Sequence, residues 1–268
     1  YIVSTPIGHL KDMSFRAIDV LGEVDLIAAE DTRHSRHLLK HYSIQTPLIS
    51  LHEHNESGRI TRLVETIQSG QSIPLVSDPG HILLQAMIEH GVTVSPVPGP
   101  CAAIAALSVS GLPTDAFVFY GFLNAKGERR KKQCEALGDE TRTVILYESV
   151  HRIQNLLALL VDSLASTRRV VIARELTKQF ETIARLTVAE LAQGWNIETM
   201  GEWRGEFVVM IEGHQPDKTN VVTSQDEQML RVLLKELSPA AASRVAAQLT
   251  GLPKRALYDH ALALQSKK

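Results

Sequence analysis

The chain has 268 residues, enough for two domains of roughly 100–150 residues each. Apolar residues make up 44% and charged residues 22%, and no apolar run reaches the roughly 18–20 residues of a membrane-spanning helix. The formal charge of −2 excludes a molecule that is basic all over, so contact with nucleic acid would have to come from local patches.

In chain order, Ile2-Val3 is the visible end of a first strand, and Tyr1 already lies inside an apolar run, so a natural start is expected upstream. Phe15, Ile18 and Leu21 recur at helical spacing and predict a helix over 14–21. Short apolar strands are expected at 26–29, 48–51 and 92–94. Helices are expected at 35–41, 58–69, 81–90 and 101–110, the last three each followed by glycine. Pro113-Thr114-Asp115 breaks the pattern and marks a hinge. Strands at 116–120, 143–147, 169–173 and 206–211 then alternate with helices at 129–137, 151–164 and 188–193. This alternation predicts an α/β fold: two α/β domains, 1–114 and 115–214, with mostly parallel sheets. A polar linker, 215–225, leads to a small C-terminal helical segment, 226–268, with the outline of a helix-turn-helix. The two cysteines, Cys101 and Cys134, lie outside any C-x-x-C pattern, and no basic segment followed by an apolar one suggests secretion. A cytoplasmic location is expected.

Open α/β sheets bind ligands at the carboxyl ends of their strands, so the polar and Gly/Pro loops there carry the functional information. Thr5-Pro6-Ile7-Gly8 follows the first strand and is not a G-x-G-x-x-G fingerprint, which disfavours a dinucleotide site. Glu30-Asp31-Thr32-Arg33 follows the second strand and is either a helix cap with a solvated salt pair or a polar cluster at a cleft. His52-Glu53-His54-Asn55 follows the third, without the further ligand motif a metal would need, so no metal is expected. Ser77-Asp78-Pro79-Gly80 reads as a turn into a helix. Pro98-Gly99-Pro100-Cys101-Ala102 opens a helix with small residues that let a ligand approach the backbone. Tyr147-Glu148-Ser149, His151-Arg152 and Arg174-Glu175-Leu176-Thr177-Lys178 follow strands of the second half. A basic run, Arg129-Arg130-Lys131-Lys132, is a solvated helix face or, with Arg33, His34, Arg36, His37, Lys40 and His41, a phosphate-contacting rim.

Taken in order, Thr-Pro-Ile-Gly (5–8), Ala-Ala-Glu-Asp-Thr-Arg (28–33), His-Glu-His-Asn-Glu (52–56), Ser-Asp-Pro-Gly (77–80) and Pro-Gly-Pro-Cys-Ala-Ala (98–103) resemble one family. Gly-Phe-Leu (121–123), Tyr-Glu-Ser with His-Arg (147–152) and Ala-Arg-Glu-Leu-Thr-Lys (173–178) extend the resemblance to about residue 214. The chain is similar to the tetrapyrrole-methylase-like superfamily, also called class III methyltransferases, and within it to the branch acting on small-subunit ribosomal RNA.

The resemblance implies an interdomain cleft for S-adenosylmethionine, a homodimer and no metal. It implies 2′-O-methylation of a cytidine ribose in the decoding region of 16S rRNA, within the 30S subunit. It places Pro6, Leu75, Cys101, Ala102, Glu148 and Leu176 at the cofactor. Candidates for a general base are Glu30, Asp31, His54, Glu148, His151 and Glu175. RNA contacts are expected from Arg33, Arg36, Arg129, Arg130, Lys131 and Lys132. A tetrapyrrole methyltransferase of the same fold and a non-catalytic RNA-binding relative are the alternatives.

The sequence departs from the family pattern at His9, usually asparagine, and Asn124, usually proline. A larger departure is at Ile73-Pro74, where about eight residues of the pattern are absent, comprising most of a core strand and a cofactor loop. A parallel sheet covered on both faces does not tolerate loss of a central strand. The expectation is therefore an omitted segment, with a long distance between Ile73 and Pro74.

Overall fold

The computed structural model describes residues 1–51, 56–76, 81–194, 201–215 and 222–266. The chain forms two compact units, Tyr1–His214 and Gln215–Lys268.

The first sheet is built from β1 (Ile2–Val3), β2 (Ile27–Ala29), β3 (Leu48–Ser50), β4 (Leu75–Val76) and β5 (Pro96–Val97), in the order β3-β2-β4-β1-β5. Every pairing in it is parallel. Its helices are α1 (Phe15–Glu23), α2 (Thr32–His41), α3 (Glu56–Gln68) and α4 (His81–Glu89). The alternation along β2 explains the layering. Ile27 and Ala29 pack with Leu21 of α1 and Leu38 of α2, whereas Ala28 faces Leu63 of α3 and Met87 of α4. Both faces are therefore covered, as a parallel sheet requires.

At Ile73-Pro74, where the family pattern has more residues, the short β4 pairs with β1 and β2 at the centre of the sheet. The Ile73 carbonyl accepts from the Tyr1 amine (3.3 Å), the Pro74 carbonyl from the Ala28 amide (3.0 Å), and the Leu75 amide donates to the Tyr1 carbonyl (2.8 Å). Leu75 pairs with both Ile2 and Ala28, so the short segment 74–76 fills the central position. The strand expected at 92–94 is also displaced. Its β-branched residues suit a strand, but β1 pairs instead with Pro96-Val97.

The second sheet contains β6 (Phe117–Phe122), β7 (Thr143–Ser149), β8 (Arg169–Arg174), β9 (Thr182–Thr187) and β10 (Glu206–Ile211), in the order β6-β7-β10-β8-β9. Only β6-β7 is parallel; the other three pairings are antiparallel. β9 has no counterpart among the expected strands, because Thr-Ile-Ala-Arg-Leu-Thr carries no strong apolar run. One face of this sheet packs on α6 (Glu128–Ala136), α7 (Ile153–Ser163) and α8 (Val188–Ala192). The other face, including Ile145, Val171, Val208 and Met210, receives Ala103, Ala106 and Leu107 of α5 (Ala102–Ser110). Helix α5 follows directly from the first sheet's last strand, and its small residues let it lie close against the second sheet. That packing joins the two halves of the unit.

In the C-terminal unit, Thr223 and Asp226 form a reciprocal capping box that starts the helix Ser224–Leu233. Ser238 caps Pro239–Thr250, and Gly251, at φ 71°, ends it before Lys254–Ser266. Leu230, Ala246, Leu257, Ala261 and Leu264 make the core of this unit. No helix among the described residues is long and apolar enough to cross a membrane.

Candidate active site

A cavity of about 1060 Å³ opens at the carboxyl ends of the strands. The loop after β1 contributes Ser4 to Gly8, and α2 contributes His34, His37 and Leu38. The start of α5 adds Pro100, Cys101 and Ala102. The second sheet adds Phe122, Tyr147, Glu148, Ser149, Leu176, Lys178 and Glu206 to Val208.

Two loops close this cavity against each other. The His9 amide donates to Thr177 Oγ1 at 3.0 Å, and a Cβ on Gly8 would stand 2.6 Å from Thr177 Oγ1 and 2.8 Å from the Leu176 carbonyl. Only a glycine lets the first loop come so near. The facing loop holds Glu175 (φ 51°) and Thr177 (φ 62°) in the left-handed region, which is unfavourable for residues with a Cβ. Hydrogen bonds hold them there. The Glu175 amide donates to the Glu206 carbonyl at 3.0 Å, and the Thr177 amide to Glu181 Oε2 at 2.6 Å.

Charges in the wall are paired. Glu148 is buried, accepts from Arg130 Nη2 at 2.6 Å and from the Ser149 amide at 2.9 Å, and forms an ion pair with Arg152 Nε at 2.9 Å. Lys178 Nζ bridges Glu175 and Glu206, at 2.9 Å from each. Burial acts to raise the Glu175 carboxyl, but the Lys178 ammonium and the Glu206 amide outweigh it and hold it below the ordinary carboxylate range. Burial acts to lower Lys178, but its two carboxylates outweigh it and raise the ammonium above its usual value. The Tyr147 hydroxyl accepts from the Ala103 amide at 3.0 Å; burial, and next the neighbouring Cys101, push the phenol up.

The structure brings together Pro6, Cys101, Ala102, Glu148 and Leu176 of the six residues expected at the cofactor. It does not place Leu75 in this lining. That side chain is 2% exposed and packs in the first sheet's core with Ala28, Leu63 and Met87. The candidate bases fare differently from one another. Asp31 caps α2 by accepting from the Arg33 and His34 amides at 2.8 and 3.1 Å, which lowers its pKa. Glu30 and His151 are exposed and do not line the cavity. Glu175 lies behind Lys178, and Glu148 has its oxygens committed to two guanidinium groups and an amide. His54 and the rest of 52–55, like Ser77-Asp78-Pro79-Gly80, lie outside the described residues.

Of the expected RNA contacts, Arg33, Arg36, Arg129, Lys131 and Lys132 are exposed. Arg130 is not. It is 1% exposed and spends its guanidinium on Glu148, Asn155 and the Asn124 carbonyl. It stands on the buried face of α6, where a run of like charges hides the helical period. Phe122 and Glu206 reach the cavity without having been named as site residues: Phe122 lay inside the Gly-Phe-Leu motif, and Glu206 stands at the amino end of β10, which antiparallel pairing sets beside Ser149.

Residues 1–192 match the family described as Tetrapyrrole (Corrin/Porphyrin) Methylases, and residues 221–265 match the RsmI C-terminal HTH domain. The ribosomal RNA small subunit methyltransferase I of Pseudomonas aeruginosa is 45% identical over 276 residues, covering 100% of this chain and 98% of that protein. The protein of the same name from Escherichia coli O157:H7 is 44% identical over 273 residues, covering 99% and 95%. Among solved structures, diphthine synthase superposes with a TM-score of 0.57 at 14% identity, over 80% of this chain and 91% of that one. A cobalt precorrin-4 methyltransferase of cobalamin biosynthesis gives 0.56 at 15% identity, over 79% and 94%. These structural likenesses establish the fold, and the whole-length identities establish the branch. The chain belongs to the tetrapyrrole methylases and, within them, to the ribosomal RNA small subunit methyltransferase I family.

Proposed function

We propose that the chain methylates small-subunit ribosomal RNA with S-adenosylmethionine as donor, at the 2′-hydroxyl of a decoding-region cytidine in 16S rRNA on the 30S subunit. The observation that carries this reading is the cavity. Its volume, about 1060 Å³, is at the upper end of the roughly 300–1,000 Å³ of ligand pockets, room for a nucleoside-sized cofactor with part of a nucleotide. Its wall is largely apolar with a few fixed polar groups, and among the described residues it shows no glycine-rich phosphate cradle, which suits a nucleoside without phosphates. The relatives' shared name supports the ribosomal RNA substrate.

Pro6, Cys101, Ala102, Glu148 and Leu176 are the residues proposed to hold the cofactor. When bound, S-adenosylmethionine supplies an electrophilic methyl group on a sulfonium. The chain's task is then to orient a ribose hydroxyl and keep water out, which is mainly positional work. The close-packed loops at Gly8 and Thr177 fix one wall of the cavity. The ion pairs of Glu148 with Arg130 and Arg152, and of Lys178 with Glu175 and Glu206, supply a fixed field. His34 and His37 present imidazoles to the cavity and are the side chains best suited to accept the hydroxyl proton. A homodimer in the cytoplasm is part of the proposal, on the strength of the family resemblance.

The test is transfer of labelled methyl from S-adenosylmethionine to 30S subunits lacking the modification, with the product nucleoside identified by mass. Label on a cytidine ribose is expected. Cofactor binding without transfer to 30S subunits would overturn the proposal.

A further inference from the structure

We infer that Phe122, backed by Phe119, Tyr147 and Arg152, is a stacking platform for an unpaired RNA base at the rim of the cavity. This inference rests on the ribosomal RNA substrate proposed above. It begins with an irregularity in β6. The register shifts between Phe119 and Gly121, and Gly121 has φ 61°. Strand side chains alternate, so an unbroken β6 would send Phe119 and Phe122 to opposite faces. The bulge puts them on the same face, opposite Ile145 and Tyr147.

On that face the two rings stay uncovered. Phe119 is 49% exposed and Phe122 is 60% exposed, although both touch Tyr147 edge-on, at centroid distances of 4.9 and 5.8 Å. The Arg152 guanidinium lies 5.6 Å from the Phe122 ring centroid and is itself held by Glu148. Phe122 lines the cavity, so the patch is continuous with the proposed reaction site. A rigid aromatic with a guanidinium beside it is the arrangement that stacks unpaired RNA bases.

Charge favours RNA over a second copy of the chain. Arg130 pins the first turn of α6 beside the ends of β6 and β7, through Glu148 and the Asn124 carbonyl. That turn carries the exposed Glu128 and Arg129, and the exposed Lys126 precedes it, a net positive charge; neither cation has an ion-pair partner among the described residues. A two-fold contact through this face would set like charges against each other, whereas phosphates would neutralise them.

The test uses the full chain and a single-stranded RNA oligomer carrying 2-aminopurine, whose fluorescence falls when the base stacks. Binding to the unaltered protein is expected to quench it. Phe122→Leu is expected to weaken binding roughly ten-fold and abolish the quenching, and Phe122→Trp to restore both. Should the Phe122 variants fail to fold, as judged by circular dichroism, Phe119→Leu carries the same comparison with a smaller loss. Unchanged affinity and quenching in the leucine variant would overturn the platform. So would conversion of an RNA-free dimer to a monomer by the leucine variant, since the face would then serve self-association. Methyl transfer to 30S subunits by the unaltered protein separates the two levels. Transfer with a platform variant that still quenches refutes the platform alone. No transfer with Phe122-dependent quenching leaves an RNA-binding face and refutes the methylation reading.

Discussion

Arg130 and Glu148 meet at 2.6 Å with side chains 1% and 0% exposed, so a guanidinium from the basic run of α6 is buried under the wall of the cavity. A buried pair is costly to break from one side, because the remaining charge is stranded. Arg130→Met is therefore expected to destabilise the protein by about 3 kcal/mol in denaturant titrations, Arg152 limiting the loss. The salt dependence of RNA binding is expected to keep its slope, whereas Arg129→Ala should reduce it. A reduced slope in the Arg130 variant would place Arg130 on phosphate.

Lys178 with Glu175 and Glu206 gives a pH signature. The Glu175 pKa is lowered in the fold, so its contribution is present above the unfolded carboxylate value of about 4.3 and is lost as pH falls through the lowered value. The Lys178 pKa is raised, so its contribution is present below about 10.4 and is lost only as pH rises through the raised value. The difference in melting temperature between wild type and Lys178→Met is expected to be flat near neutrality and to shrink below about pH 4. A difference that grows in acid would contradict this pairing.

Leu75 and Gly8 separate core from site. Leu75→Ala removes a side chain that is 2% exposed at the centre of the first sheet, and is expected to cost about 2–5 kcal/mol. Its folded fraction should bind S-adenosylmethionine with near-normal affinity by calorimetry. Gly8→Ala would place a methyl 2.6 Å from Thr177 Oγ1 and 2.8 Å from the Leu176 carbonyl, and is expected to push the two loops apart. Its loss should fall on cofactor affinity, by ten-fold or so, more than on the melting temperature.

Cys101 occupies the N-cap of α5 with no side-chain cap bond. Cys101→Ser supplies a better cap and is expected to raise stability by about 0.5–1 kcal/mol while retaining methyl transfer. Loss of transfer in a well-folded serine variant would give the thiol a chemical role.

The first three strands and the helices of the first half, the loops at strand ends and the family itself could be read along the chain, because each rests on local spacing or on residues adjacent in sequence. Asp31 and Thr5 to Gly8 did what their local patterns predict: a helix cap and a loop after a strand. What depended on partners distant in sequence could not be read. The family pattern has more residues at Ile73-Pro74, and only hydrogen bonds to Tyr1 and Ala28 show that the short β4 takes the centre of the sheet. Arg130 looked like its neighbours in a basic run, and only the packing of α6 on β7 turned it inward toward Glu148. β9 and the antiparallel course of β10 are decided by backbone pairing, to which side-chain periodicity is blind. The bulge that turns Phe122 to the cavity has the same origin, since a one-residue shift in pairing decides which face of a strand a side chain occupies.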